Sequence, residues 1–349
     1  MTMPSRREQF ETLFPHEPTF RWKQIEQGLF SSAQSWAQIT SLSKTMREHL
    51  VQIPWMSVVP QTIQVSKNGD THKTLLNVEG GKQIETVLMK NNRDAWTICV
   101  SSQVGCAMRC GFCATGRMGL TRNLLEDEII DQYRFWQQYL QNNPKLDSRV
   151  SNIVFMGMGE PLANYEEVKK TLNTILTYTD IGRTRITVST VGVLPRLEQI
   201  LTDKEWPHIR LAISLHSAVA DTRKKIVPTS YDEFLPKLEA WAKNYLSVFG
   251  NRRHHLTFEY VMLKGINDTP EQAKALATFV RRIGKIRINL IPYNLTGMEF
   301  ECSTPSAIQH FMSILQSSGC ITTTRRTMGD DIAAACGQLI VLTNKDQTA

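Results

Sequence analysis

The feature that most constrains this chain is an alternation of element types beginning near residue 95. Six short β-prone runs, Thr97–Ser101, Asn152–Met156, Arg185–Ser189, Arg210–Leu215, Leu256–Met262 and Arg287–Ile291, are separated by stretches of helical periodicity such as Leu124–Leu140 and Pro270–Ile283. Strand–helix alternation predicts a parallel sheet joined by right-handed crossovers. Six units predict an α/β fold in the form of an open, partial (β/α)6 barrel. In parallel α/β architectures chemistry collects at the C-terminal strand ends. The notable residues fall there: three cysteines after the first run, Gly157-Met158-Gly159-Glu160-Pro161 after the second, Ser189 closing the third and Ser214-Leu215-His216 closing the fourth.

Ahead of this core the pattern differs. Trp22, Ile25 and Leu29 recur at helical spacing, as do Trp36, Ile39, Leu42, Met46 and Leu50. From Gln61 to Met89 short alternating runs replace the helical period, with Asn68-Gly69 and Gly80-Gly81 where hairpin turns belong. The division that follows is a helical accessory unit over 1–60, a three-stranded β-meander linker over 61–91, the core over 92–325 and a C-terminal segment over 326–349.

The cysteines carry the chemistry. Cys106, Cys110 and Cys113 have the spacing C-x3-C-x2-C. Thiolates are the usual ligands of iron–sulfur clusters, and a [4Fe–4S] cube normally takes four. Three leave one iron open for a substrate, by the logic that separates catalytic from structural zinc sites. Structural zinc or an electron-transfer ferredoxin would need a fourth ligand nearby, and the closest downstream histidine is His208. The other cysteines are Cys99, Cys302, Cys320 and Cys336, seven in all. An odd count argues against a disulfide framework.

The 349 residues carry a net charge of +7, which fits a polyanionic partner. The basic residues form small clusters, Arg183 with Arg185, Arg223-Lys224-Lys225, Arg252-Arg253, Arg281-Arg282 and Arg325-Arg326, readable as phosphate contacts or as solvated surface. No apolar run approaches bilayer length. The start, Met1-Thr2-Met3-Pro4-Ser5-Arg6-Arg7-Glu8, has no apolar stretch after its arginines, so a cytoplasmic location is expected.

C-x3-C-x2-C is the signature of the radical S-adenosylmethionine superfamily, and the resemblance extends further. Cys99-Val-Ser-Ser-Gln-Val-Gly-Cys106, Met156-Gly-Met-Gly-Glu-Pro-Leu162, Ser189-Thr-Val-Gly192, Ser214-Leu-His216, Asn289-Leu-Ile-Pro-Tyr-Asn294 and Gly329-Asp-Asp-Ile-Ala-Ala-Ala-Cys-Gly-Gln-Leu339 resemble the motifs of the RlmN/Cfr family of RNA methyltransferases. The likeness covers nearly the whole chain. It implies a radical SAM barrel, a [4Fe–4S] cluster on Cys106, Cys110 and Cys113, and two S-adenosylmethionine molecules per turnover. Gly159 and Glu160 are expected against the methionyl moiety, and Ser189, Ser214, Leu215, His216 and Asn294 around the rest of the cofactor.

The resemblance also implies a protein-borne methyl. Cys336 takes a methyl from one S-adenosylmethionine as a thiolate. A second is cleaved reductively, and the deoxyadenosyl radical removes hydrogen from that methyl. The carbon radical adds to adenine, Glu85 takes the proton from the adduct, and Cys99 resolves it through a transient disulfide with Cys336. Without the family, Glu85 reads as an outward-facing strand carboxylate. RlmN-type members methylate C2 of an adenosine in 23S rRNA, many also acting beside the tRNA anticodon; Cfr-type members methylate C8. Pro161 after Glu160 favours the RlmN type. A flavodoxin- or ferredoxin-like electron donor and a monomeric protein are expected. A non-catalytic iron–sulfur protein that binds RNA or transfers electrons is the alternative of another class. It would need neither Cys99 nor Cys336.

Overall fold

The computed structural model describes residues 4–91, 93–146 and 149–341; residues 342–349 of the expected C-terminal segment lie outside the described residues. The alternating stretch before the core forms three antiparallel strands, β1 (Val59–Val65), β2 (Thr71–Val78) and β3 (Lys82–Lys90). They turn at Gly69, and at Gly80 and Gly81, all with positive φ, the backbone region that glycine enters at least cost. The core then runs through β4 (Trp96–Cys99), a hairpin of β5 (Gln103–Gly105) and β6 (Leu120–Asn123), β7 (Val150–Phe155), β8 (Ile186–Thr190), β9 (Arg210–Ser214), β10 (Leu256–Met262), β11 (Arg287–Pro292) and β12 (Ile321–Thr324).

One ten-stranded sheet joins meander and core in the order β1-β2-β3-β4-β7-β8-β9-β10-β11-β12. From β4 to β12 every pairing is parallel. All six expected strands form, and β12 adds a seventh whose residues Ile-Thr-Thr-Thr are mostly exposed. An edge strand with so little apolar content carries no burial pattern that a sequence reading could detect. The meander packs into the same apolar core as the barrel: Leu76, Ile84 and Leu88 belong with Ile98, Ile153 and Ile213. The two ends of the sheet do not pair with each other, so the barrel is open.

The N-terminal helices bury a separate core of Phe10, Trp22, Ile25, Leu29, Trp36, Ile39, Leu42, Met46 and Leu50. The second helical run is broken, with one 3-10 turn at Trp36–Gln38 and a helix at Lys44–Leu50. Ser43 ends the break, its hydroxyl accepting from the Met46 amide at 3.2 Å, the usual role of serine at a helix N-cap. This unit docks on the helix Glu126–Gln141 through charge. Buried Arg6 pairs with Asp127 at 3.1 Å and with Asp131, which also takes Arg134.

Residues 325–341 follow β12 as an irregular strap that crosses the opening. Arg325 N donates to Leu290 O on β11. Farther along, Lys67 N donates to Asp331 Oδ2, Lys73 Nζ donates to Ala333 O, and Ile340 N donates to Glu85 Oε2 on β3.

Candidate active site

The C-terminal strand ends and their loops, with the strap on one side, enclose a cleft of about 910 Å³, part of it open to solvent. Cys106, Cys110, Cys113, Gly159, Glu160, Ser189, Ser214, His216, Asn294 and Cys336 all line it. Leu215, Glu85 and Cys99 do not.

The cysteine loop is bracketed by the β5–β6 hairpin. Gly105, at φ 77, lies so close to Gly119 that a Cβ would stand 1.9 Å from its carbonyl oxygen, so no side chain fits there. Burial pushes the Cys106 thiol up to about 12 and the Cys110 thiol well above the usual range. Burial also raises Cys113, against hydrogen bonds from Gly116 and Thr115. Neighbouring thiols add to each shift: Cys113 to that of Cys106, Cys113 and Cys106 to that of Cys110, and Cys336 to that of Cys113. Three such thiols ionise together only with a metal cation beside them. Among the described residues no three Cys, His, Asp or Glu side chains could hold one metal ion.

Glu160 is buried, its carboxylate accepting from Leu162 N at 2.9 Å and Val191 N at 2.8 Å. Burial raises its pKa to about 7, and no cation offsets that. A ligand ammonium would. Gly159, at φ 103, lets this loop press on Gln103, where a Cβ would meet Gln103 Cβ at 2.6 Å. Ser189 Oγ and Ser214 Oγ are 3.2 Å apart on adjacent strands. His216 Nδ1 accepts from Val261 N at 3.1 Å, which leaves the proton on Nε2. Burial, then Arg223, lowers its pKa to about 3, so the ring is neutral. Its φ is 58, an uncommon conformation outside glycine. Leu215 acts through its backbone, its N–H donating to Glu259 O at 3.0 Å. The Asn294 amide donates to Cys336 O at 3.0 Å and its oxygen accepts from Thr327, so here it holds the strap.

Cys336 is exposed on the strap; Cys99 is buried on β4. All seven cysteines are free, so the expected disulfide is absent from this arrangement. Burial, then the nearby Cys336, pushes the Cys99 thiol up to about 12. Glu85 is buried, not outward-facing. Its Oε1 lies 2.8 Å from Lys73 Nζ, and burial raises its pKa against that lysine. It stands behind the strap, outside the cleft.

Arg325 and Arg223 escaped the sequence reading, which placed both in basic clusters. Arg325 Nε lies 3.4 Å from Glu259 Oε2, its Nη1 donates to Met156 Sδ at 3.3 Å, and Cys336 is close enough to raise its pKa. Arg223 is buried, donating to Leu215 O at 3.0 Å and Val191 O at 2.6 Å, and it ties the β8 and β9 loops together. Neither is solvated surface. The only sequence signal was position: Arg325 opens the segment that leads to Cys336. Cys302 and Cys320 stay outside the cleft.

Residues 100–277 match the radical SAM superfamily. Over 340 residues the chain is 40% identical to a probable dual-specificity RNA methyltransferase RlmN of Dictyoglomus turgidum, covering 95% of this chain and 94% of that one. The fold is similar to the crystal structure of a radical SAM methyltransferase from Sphaerobacter thermophilus, with a TM-score of 0.87 and 36% identity over 96% of this chain and 97% of the other. Among the described residues no helix is long and apolar enough to cross a membrane.

Proposed function

The chain belongs to the RlmN family of radical S-adenosylmethionine RNA methyltransferases, and from that premise we propose that it methylates C2 of an adenosine in 23S rRNA, and the adenosine beside the tRNA anticodon, through a methyl carried on Cys336. The observation that carries this reading is the convergence on one cleft of the cysteine trio, a buried carboxylate without a cation and an exposed thiol. The family's cofactors are a [4Fe–4S] cluster and S-adenosylmethionine. Cys106, Cys110 and Cys113 would hold the first. Glu160, with Gly159, Ser189, Ser214, Leu215, His216 and Asn294, would hold the second. Bound there, they supply one-electron reduction and hydrogen-atom abstraction.

The chain's own residues do the rest. Cys336 takes and presents the methyl, and the Arg325 guanidinium lies beside it. Once the methyl carbon is bonded to the base, Glu85 accepts the proton lost from the ring carbon. Cys99, once deprotonated, then attacks Cys336 sulfur; the S–S bond forms as the bond from that sulfur to the methylene carbon breaks, the electron pair passes to that carbon, which takes up a proton to become the methyl on the base, and a dithiol reductant restores both thiols. Because Glu85 lies behind the strap, its step requires the strap to shift. A flavodoxin- or ferredoxin-like donor, a single chain as the working unit and a cytoplasmic location complete the proposal.

Mass spectrometry of rRNA and tRNA from cells with and without the protein tests the reading. The expected result is a protein-dependent methyl on adenine C2. A methyl on C8 would assign the Cfr-type reaction, and no change in either RNA would overturn the proposal.

A further inference from the structure

A second internal space plays no part in the chemistry above. It is a chamber of about 860 Å³, part of it open to solvent, at the opposite, N-terminal end of the strands. Arg210 is the first residue of β9 and Arg287 the first of β11. Between them runs β10, with Thr257 in register with Arg287. Arg253 and His254 reach the chamber from the turn before β10. Glu259 and Arg325 line this chamber and the cleft alike, so their ion pair stands between the two spaces.

The charge here does not balance. Four arginines face one carboxylate, and Arg325 already engages Glu259. The Nε–H groups of Arg210 and Arg287 are buried without an acceptor, although buried donors in folded proteins are nearly always paired. After burial, Arg287 and Arg253 are what lower the pKa of Arg210. Like charges are thus held together with no internal counter-ion. The rim is strained as well: consecutive Arg253 and His254 adopt φ of 58 and 53, a conformation uncommon outside glycine.

We propose that this chamber is an oxyanion site that takes a backbone phosphate of the RNA substrate, entering the barrel from the end opposite the cysteine trio. The inference rests on the RNA methyltransferase reading and adds a positioning subsite to it. Guanidinium forks match phosphate oxygens in bidentate fashion, and the Thr187 hydroxyl, also on the chamber wall, can donate beside them. A phosphate held here would set how far the strand reaches toward the Glu259–Arg325 partition.

The test is RNA binding by the reconstituted holoenzyme across a salt series, with a 23S rRNA fragment as probe. Arg287→Gln and Arg210→Gln should each weaken binding about fivefold at about 100 mM salt and lower the log–log salt slope by about 0.7 to 0.9. Arg287→Lys should keep the parent slope with intermediate affinity. S-adenosylmethionine affinity should stay within about twofold of the parent in all three, which a merely structural role would not predict. If the parent binds RNA and both Gln variants match it, the chamber holds no RNA phosphate, while the methyltransferase reading stands. A parent that binds no RNA brings down both. Equal losses in cofactor and RNA binding overturn the subsite. Titration with inorganic phosphate alone covers the other source of the same anion. Heat that disappears in Arg287→Gln while RNA binding is unchanged would assign the chamber to free phosphate and overturn the proposal.

Discussion

Cys99 and Cys336 approach one another from two different kinds of backbone. Cys99 sits on β4, between β3 and β7, in register with Val87 on one side and Val154 on the other. Cys336 sits on the strap, whose main chain joins no sheet and is held at scattered points: Asn294 on Cys336 O, Ala114 N on Gly337 O, the Thr115 hydroxyl on Leu339 O and Glu85 on Ile340 N. Sheet ladders open cooperatively and rarely, whereas segments held by isolated bonds open locally at low cost. Under the proposed function the difference separates the two roles. A thiol that must meet a cofactor and then a base belongs on the part that can move. A thiol that acts once, at one place, belongs on the wall.

The sharpest way to break this comparison is to remove each thiol. Cys336→Ala should abolish methylated RNA altogether, with no loss of fold or iron, because the side chain is exposed and supports no core. Cys99→Ala leaves the carrier but not the resolving thiol, so protein and RNA should stay covalently joined. A nuclease-sensitive, higher-mass band on a denaturing gel should appear for Cys99→Ala and vanish in the double variant. Normal turnover by Cys99→Ala would end the division of roles.

A second test concerns the fixed side of the cleft. Glu160 has a folded pKa raised to about 7 by burial. A carboxyl raised in this way stabilises the unliganded fold most below its unfolded value near 4.5, and that contribution is lost as pH rises through 7. A ligand ammonium needs the ionised form. S-adenosylmethionine affinity should therefore rise up to tenfold per pH unit toward about 7 and then level off. Glu160→Gln should bind about tenfold to a hundredfold more weakly and lose this pH dependence. Equilibrium binding to the reconstituted protein from pH 5.5 to 8, on the order of one titration curve, reads both effects. A flat profile for the parent would show that Glu160 does not meet the ammonium.

The same contrast explains what the sequence could convey. Strands β7 to β11 were legible because burial on both faces forces apolar runs such as Ile153-Val-Phe155 and Leu211-Ala-Ile213. The cleft residues were legible because glycine, serine and cysteine at strand ends have few structural uses in combination. The strap carries no period at all, and its path depends on pairings across hundreds of positions, such as Lys67 with Asp331. Glu85 read as a surface carboxylate because its partner Lys73 and the Ile340 amide are brought to it only by the fold. Arg223 and Arg325 were hidden for a related reason: a run of basic residues looks the same whether its members face solvent or a buried carbonyl.

Loosening the strap without touching its thiol should give a smaller effect. Lys73 Nζ bonds both Ala333 O, at 3.1 Å, and Glu85. Removing one partner of a buried pair usually costs about 3–5 kcal/mol. Here the loss should be nearer 1–2 kcal/mol, because burial already raises the Glu85 pKa and the orphaned carboxyl can take a proton and keep its bond to Ile340. Lys73→Met should then lower turnover about tenfold and speed hydrogen exchange at the Ile340 amide by a similar factor. Exchange within β4 should not change, and a matching increase there would mean that strap and sheet open as one unit.

The smallest effect expected comes from the joint where the strap turns toward the meander. Gly329 has φ 68, and a Cβ there would meet Thr71 Cγ2 at 2.6 Å. An alanine would incur two separate costs. The left-handed backbone accounts for about 1–2 kcal/mol, and the clash with a buried threonine on β2 adds to it. Gly329→Ala should therefore lower turnover several-fold and increase Ile340 exchange, with a smaller effect on melting temperature, since of the strap only Ala334 and Leu339 are buried in the barrel core. Thr71→Ser deletes the obstructing methyl and keeps the hydroxyl. In the double variant the contact with Cγ2 should vanish while the backbone term and the contacts with Ala334 Cβ at 3.0 Å and Thr71 Cβ at 3.1 Å remain, so part of the lost turnover should return. Non-additivity of this size is what a double-mutant cycle detects between residues in contact. Full additivity would mean that Gly329 is required for its backbone alone, and that the strap meets the sheet at this point without pressing on it.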